Sequence, residues 1–280
     1  MQDYLLNYLK YFFFFSLFIT HSTAYPQLPP LIGEALGERL GGRITTQKGA
    51  WILQNTLEYI KAGEEKELIW AAEFAYGLTK DIGVELFIPI FLKNAAAEGI
   101  SRGLGDIIAT VEWKPFVNGP HSLLVMGGMK FPTGDRLAIP LLGTGTFDIV
   151  FNISAAHYSN NWYAALNIDT LLTTKRKGFK PGSVYEYELV FGRAINFMNK
   201  GSSKLFINLD LTGIYEKQDK INGIIDENTG GNVIFFGPLI SWTRKNLLFE
   251  VLFQGPIAQN LFGNQSKFNY TTFFSFTLIF

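Results

Sequence analysis

Asp106-Ile107-Ile108-Ala109-Thr110-Val111-Glu112-Trp113-Lys114 is the stretch on which the fold turns. In an extended chain, Ile107, Ala109, Val111 and Trp113 share one face, and Ile108, Thr110, Glu112 and Lys114 share the other. One face is apolar along its whole length; the other ends in a carboxylate and an ammonium. No helical period fits the window, because a 3.6-residue repeat would mix the two sets. The stretch therefore predicts a β-strand with lipid or core on one side and water on the other.

Working outward, Val84-Glu85-Leu86-Phe87-Ile88, Ser203 to Tyr215 and Tyr270 to Phe280 repeat the alternation, and weaker copies begin near Ala50, Leu68, Ser122, Thr146, Asn161, Ser183, Asn232 and Asn246. That makes about twelve segments, each of about ten residues, the length a tilted membrane-crossing strand needs. An even count places both chain ends on one side and lets connections alternate between the two rims. The spacing agrees. Connections after even segments are short: Thr79-Lys80-Asp81, Val117-Asn118-Gly119-Pro120, Ser159-Asn160 and Arg244-Lys245. Those after odd segments are long: Lys93 to Arg102, Pro132 to Gly145, Lys175 to Gly182, Lys217 to Gly231 and Ile257 to Ser266. The first odd connection, Ala62 to Lys66, is the exception. Short turns on one side and long loops on the other predict an all-β, transmembrane, antiparallel up-and-down β-barrel spanning residues 48–280.

Composition supports this class. Of the 280 residues 48% are hydrophobic, with 26 Phe and 12 Tyr, and no apolar run after residue 24 is long enough for a spanning helix. Such a chain must bury its apolar surface in a core or present it to lipid from a closed barrel. The 24 basic residues balance the 24 acidic ones, which gives no footprint for nucleic acid. Zero cysteines exclude disulfides and thiolate metal sites and suit export into an oxidising compartment. No pattern calls for a metal or cofactor.

The ends carry targeting signals. Tyr11 to Thr20 is an apolar stretch too short to cross a bilayer, and Ser22-Thr23-Ala24 supplies small residues for signal-peptidase cleavage after Ala24. Residues 1–24 are thus expected to be a signal peptide; a retained anchor helix is the alternative. Residues 25–47, rich in Pro and Gly, show no strand pattern and are expected to be a tail or a lumen plug, with Arg39 and Arg43 available to meet interior acids. At the C-terminus Tyr270, Phe274, Phe276, Leu278 and Phe280 share a face and end on an aromatic. This resembles the terminal-strand signature read by the barrel-assembly machinery, and it implies an outer-membrane destination in a Gram-negative cell, among outer-membrane lipid and lipopolysaccharide.

Four local patterns, Tyr76-Gly77-Leu78-Thr79, Gly103-Leu104-Gly105-Asp106, Lys130-Phe131-Pro132-Thr133-Gly134-Asp135 and Leu142-Gly143-Thr144-Gly145, are similar to those of the outer-membrane family associated with the meta pathway of phenol degradation. The last three follow the family's order. The resemblance implies passive transport of small solutes, including hydrophobic or aromatic compounds. A structural role for the glycines, at strand bends and loop mouths, is the competing reading.

Strand parity points Glu58, Glu73, Glu85, Asp106, Glu112, Asp148, Asp169, Glu186, Glu188, Asp210 and Glu250 inward, with Lys114 and Lys130 as the inward cations. A low-dielectric wall of one sign favours cations or neutral solutes. Inward Ile108 and Phe273 leave room for a more apolar conduit. A closed structural or surface-interaction barrel is the alternative. A third reading rests on His157-Tyr158-Ser159-Asn160, which resembles a pattern of outer-membrane lipid esterases; the segment count places it at a short turn, away from the long loops. Lys175, Arg176, Lys177 and Lys180 form a basic loop suited to lipopolysaccharide phosphates. Glu250 to Pro256 resembles a viral protease cleavage site but continues its strand's alternation.

Overall fold

The computed structural model describes residues 48–97, 99–159, 161–196 and 203–280. The expected signal peptide and the 25–47 extension lie outside the described residues. Sixteen strands appear in chain order: β1 (Trp51–Ala62), β2 (Glu65–Gly77), β3 (Ile82–Ala96), β4 (Gly99–Leu104), β5 (Ile107–Asn118), β6 (His121–Phe131), β7 (Asp148–Ser159), β8 (Trp162–Leu172), β9 (Phe179–Lys180), β10 (Val184–Asn196), β11 (Ser203–Glu216), β12 (Lys220–Ile221), β13 (Ile224–Ile225), β14 (Gly231–Arg244), β15 (Leu247–Leu261) and β16 (Phe268–Ile279). Twelve are long and antiparallel, each paired with its sequence neighbours, and β1 pairs with both β2 and β16, which closes the barrel. β4 extends the fourth wall strand past a break at Gly105-Asp106, while β9, β12 and β13 form a small sheet in the loops.

Closure follows from the pattern quoted first. Along β5, Ile108, Thr110, Glu112 and Lys114 are buried, whereas Val111 and Trp113 are exposed, each by about half. Every long strand repeats that alternation. The outward set includes Leu57, Phe74, Leu86, Phe151, Leu166, Leu189, Leu209, Ile240, Val251 and Phe274, a continuous apolar band no water-facing surface would carry. Two aromatic levels bound it. Near the short turns Trp51 packs on Tyr76 at 4.6 Å, Trp162 stacks on Phe191 at 5.3 Å and Trp242 meets Phe249 at 5.6 Å. Near the long loops Tyr59 meets Tyr270 at 5.8 Å and Tyr185 meets Tyr215 at 6.2 Å. Rings with a polar edge settle at the two lipid–water boundaries, so the girdles mark the membrane-spanning height.

Turn chemistry explains the short rim. Between β5 and β6 only Gly119-Pro120 separates the paired Asn118 and His121, and Gly119 takes φ 58°, the left-handed value such a two-residue hairpin requires at its first position. In the Tyr76-Gly77-Leu78-Thr79 pattern, Thr79 Oγ1 accepts the N–H groups of Asp81 and Ile82 at 3.1 and 2.9 Å, fixing the β2–β3 turn. The long rim departs from the sequence expectation in two places. Lys93 to Arg102 is a tight β3–β4 hairpin instead of a loop, and β15 runs on to Leu261.

Candidate functional site

All thirteen expected inward residues are buried inside the barrel: Glu58, Glu73, Glu85, Asp106, Glu112, Lys114, Lys130, Asp148, Asp169, Glu186, Glu188, Asp210 and Glu250. Glu65 and Glu67, which parity reading left out, join them. Among the described residues the interior thus holds thirteen buried carboxylates and two buried lysines. The polar wall is organised strand to strand. Asn152 donates to Asp169 at 2.8 Å, and Asn167 donates to Glu188. Ser241 and Ser275 donate to the two oxygens of Glu250 at 3.0 and 3.2 Å, and Gln254 and Thr212 both donate to Asp210 Oδ1, at 2.7 and 2.8 Å. Lys114 is held by Glu112 at 3.0 Å.

Carboxylates are only part of the interior. Ile60, Ala71, Phe87, Ile108, Leu124, Val150, Leu171, Val184, Ile214, Phe235 and Phe268 pack as one buried apolar cluster, and Leu261 of β15 packs against it. Every one of the twelve wall strands therefore contributes to an apolar collar, within which Phe235 and Phe268 meet edge-on with ring centroids 5.1 Å apart. A second cluster, including Tyr163, Leu239, Leu252 and Phe273, lines β8 to β16 toward the short turns. Only Ile108 and Phe273 were singled out from the sequence; the rest of the collar went unread because isolated apolar residues on an inward parity look like noise in any single strand.

The three ordered motifs meet in space. Lys130 Nζ lies 2.8 Å from Asp106 Oδ2 and 2.7 Å from Asp148 Oδ2, and it also donates to Thr144 Oγ1. Asp106 in turn accepts the N–H of Gly134 at 3.0 Å and that of Thr144 at 2.9 Å, so one carboxylate ties both ends of the loop 132–147 to the strand break. Thr133 Oγ1 donates to the Gly105 carbonyl at 2.7 Å and accepts the Ile107 N–H at 2.9 Å. Gly134 and Gly143 pack back to back here. A Cβ on Gly143 would stand 2.3 Å from Asp106 Oδ1 and 2.8 Å from Gly134 Cα. Thus Lys130 and Asp106, expected to line a lumen, are spent on holding a loop: a buried cation between two carboxylates is satisfied locally.

That loop folds inward. Leu142 is buried against the inward-facing Ile69 and Phe91, and Asn94 donates to the Leu141 carbonyl at 3.1 Å. The loop narrows the mouth on the β2–β4 side. Between it and β4 lies a cavity of about 430 Å³ lined by Ile100, Gly103, Leu104, Thr133, Ile139 and Leu142.

The remaining sequence candidates are elsewhere. His157 faces outward at the short-turn rim, its Nδ1 3.1 Å from that of His121 and the rings 4.5 Å apart. It is a cross-strand pair on the outer wall, and the loop end and interior lie away from it. The basic loop is exposed, with Arg176 donating to the Gly145 carbonyl at 2.7 Å. Glu250 to Pro256 lies within β15.

No family model and no curated protein matches the chain. Solved structures do. The COG4313 outer membrane channel from Pseudomonas putida F1 superposes with a TM-score of 0.70 at 14% identity, covering 91% of this chain and all of that one. The NanC porin gives 0.53 at 6% identity over 81% of this chain and 98% of its own. The β domain of the Bordetella autotransporter BrkA gives 0.50 at 10% identity over 82% and 98%. At these identities the likeness establishes the outer-membrane barrel fold.

Proposed function

We propose that this protein is an outer-membrane channel that passively conducts small solutes, favouring cations and neutral molecules with an apolar or aromatic part. The observation that carries the reading is the closed barrel whose inner wall layers buried carboxylates with an apolar collar. Carboxylates in a low-dielectric wall repel anions over the whole passage. The collar offers ring and aliphatic contacts to a solute that has shed water, and the inward loop 132–147 sets the width at the mouth. Diffusion down a gradient needs no catalytic group; the outward His157 ring meets His121 on the short-turn rim, away from the interior that carries this reading. Fold likeness to a channel and a porin supports the reading. So does the convergence of three motifs on one loop anchor, which favours membership of the phenol meta-pathway family over scattered coincidence.

The extent of burial along the inner wall favours a second reading, a closed barrel that works through its outer loops. Liposome swelling separates the two. Proteoliposomes should swell in a neutral aromatic solute and much less in its carboxylated analogue; no swelling in either, with folded protein, would leave the closed barrel.

A further inference from the structure

β6 and β7 are connected along the chain at the loop end, through residues 132–147, whereas at the short-turn rim each strand belongs to a different turn, so the ladder holds the seam between them. The last pair of that seam is His121 opposite His157. It is a pair of the non-hydrogen-bonded kind: the Pro120 carbonyl accepts the Tyr158 N–H at 2.8 Å, one residue outside it on both strands. Side chains at such positions lie closest together, on Cα atoms about 4.5 Å apart. Both imidazoles have the outward parity of Met129, Ile149 and Phe151, which are exposed. His121 is itself exposed and His157 half-buried.

The two Nδ1 atoms stand 3.1 Å apart, and the rings are tilted by 48°. Two imidazole nitrogens, each about 2.0–2.1 Å from one metal ion, are about 2.9 Å apart at a right angle and about 3.3 Å apart at a tetrahedral one. The observed separation falls between these values, so the ladder holds two ligand atoms at the spacing one ion requires. Asn118 stands opposite His121 across the β5–β6 hairpin and brings an amide oxygen to the same face. Among the described residues no three His, Cys, Asp or Glu side chains gather at one point, so Asn118 and water complete the shell. Imidazole nitrogen selects late first-row divalent ions, copper(II) most strongly, over magnesium and calcium. The two histidines are 36 positions apart in the chain, and only the ladder brings them together.

We propose that His121 and His157 form a two-imidazole binding site for a late first-row divalent metal ion, copper(II) or zinc(II), which clips β6 to β7 at the short-turn rim. The protein, purified from outer membranes without a polyhistidine tag and kept folded in detergent, is titrated with Cu2+ and with Zn2+, and the Cu2+ form is examined by electron paramagnetic resonance. One ion per chain should bind, with hyperfine structure from two imidazole nitrogens, and excess Mg2+ should not displace it. His121→Gln and His157→Gln should each weaken binding at least about tenfold, the loss that even an outer-shell partner of a metal ligand brings. Heat-shifted gel mobility confirms that each variant is folded. Hydrogen exchange at the Tyr158 amide should slow on adding Zn2+ to the wild type and stay unchanged in either variant. Wild-type binding no tighter than that of a single variant, or a spectrum with one nitrogen, would make these adventitious surface histidines and overturn the proposal. Absence of binding would overturn it too, leaving an N–H···N hydrogen bond between the rings. Proteoliposome swelling by both variants should match the wild type, so the metal site and the channel stand or fall separately.

Discussion

Asp106→Ala should release the inward loop without unfolding the barrel. The Asp106 carboxylate is buried and receives Lys130 at 2.8 Å together with the N–H groups of Gly134 and Thr144. Removing one member of a buried charged pair typically costs about 3–5 kcal/mol. Here Lys130 keeps Asp148 at 2.7 Å, which sets the loss at the lower end, about 3 kcal/mol. These contacts hold the loop, not the wall ladders, so the loss falls on loop docking and raises the undocked population roughly a hundredfold. Trypsin reads this directly, because the loop carries the exposed Arg136 and a protease needs several residues freed around its cut. Where reclosing is fast, cleavage at Arg136 follows the open population and should rise by the same factor. Asp106→Asn, which keeps an acceptor oxygen but loses the charge, should fall between. Unchanged cleavage at Arg136 in a folded Asp106→Ala barrel would refute the anchoring role.

Other outcomes follow from the same geometry. Gly143→Ala, whose new Cβ would collide with Asp106 and Gly134, should mimic Asp106→Ala in the trypsin assay. Val111→Lys, on a lipid-facing site 52% exposed, should cost about 2–4 kcal/mol in urea refolding into lipid, and Thr110→Lys, placed opposite Glu85 inside, should cost clearly less. Phe235→Ala, which deletes a wholly buried ring from the collar, should cost about 3–5 kcal/mol and widen the conductance if the collar is the constriction. Asp219 sits in the 217–230 loop, where burial raises its carboxyl above the ordinary range, the Gly182 N–H lowers it and Asp226 raises it. A raised folded-state pKa means that its contribution to loop order is present in acid and lost as pH rises through that value. Protease resistance of this loop should therefore decline from acid toward neutral pH, and Asp219→Asn should flatten the decline.

The barrel was legible because its signal is redundant. Twelve alternating stretches and a short–long rhythm of connections all express one constraint, that every backbone polar group inside lipid must be paired within a closed sheet. The thirteen residues that parity points inward are all buried. What parity cannot give is who meets whom. The sharing of Lys130 between Asp106 and Asp148 joins residues 24 and 18 positions apart through a loop whose path no local pattern encodes. The Lys93 to Arg102 hairpin was read as loop because Gly99 and Gly103 interrupt the alternation, although glycine within a strand also marks a bend or bulge. The apolar collar draws one or two residues from each strand and exists only once the sheet closes.

Ion selectivity tests the central claim most directly. The protein, purified from outer membranes and folded, would be inserted in a planar bilayer with a tenfold salt gradient across it. The account expects stable conductance steps whose reversal potential has the sign of cation preference, shrinking when Glu73→Gln/Glu112→Gln removes two of the inward carboxylates. An anion-selective reversal potential, or a sealed bilayer containing demonstrably folded protein, would contradict it.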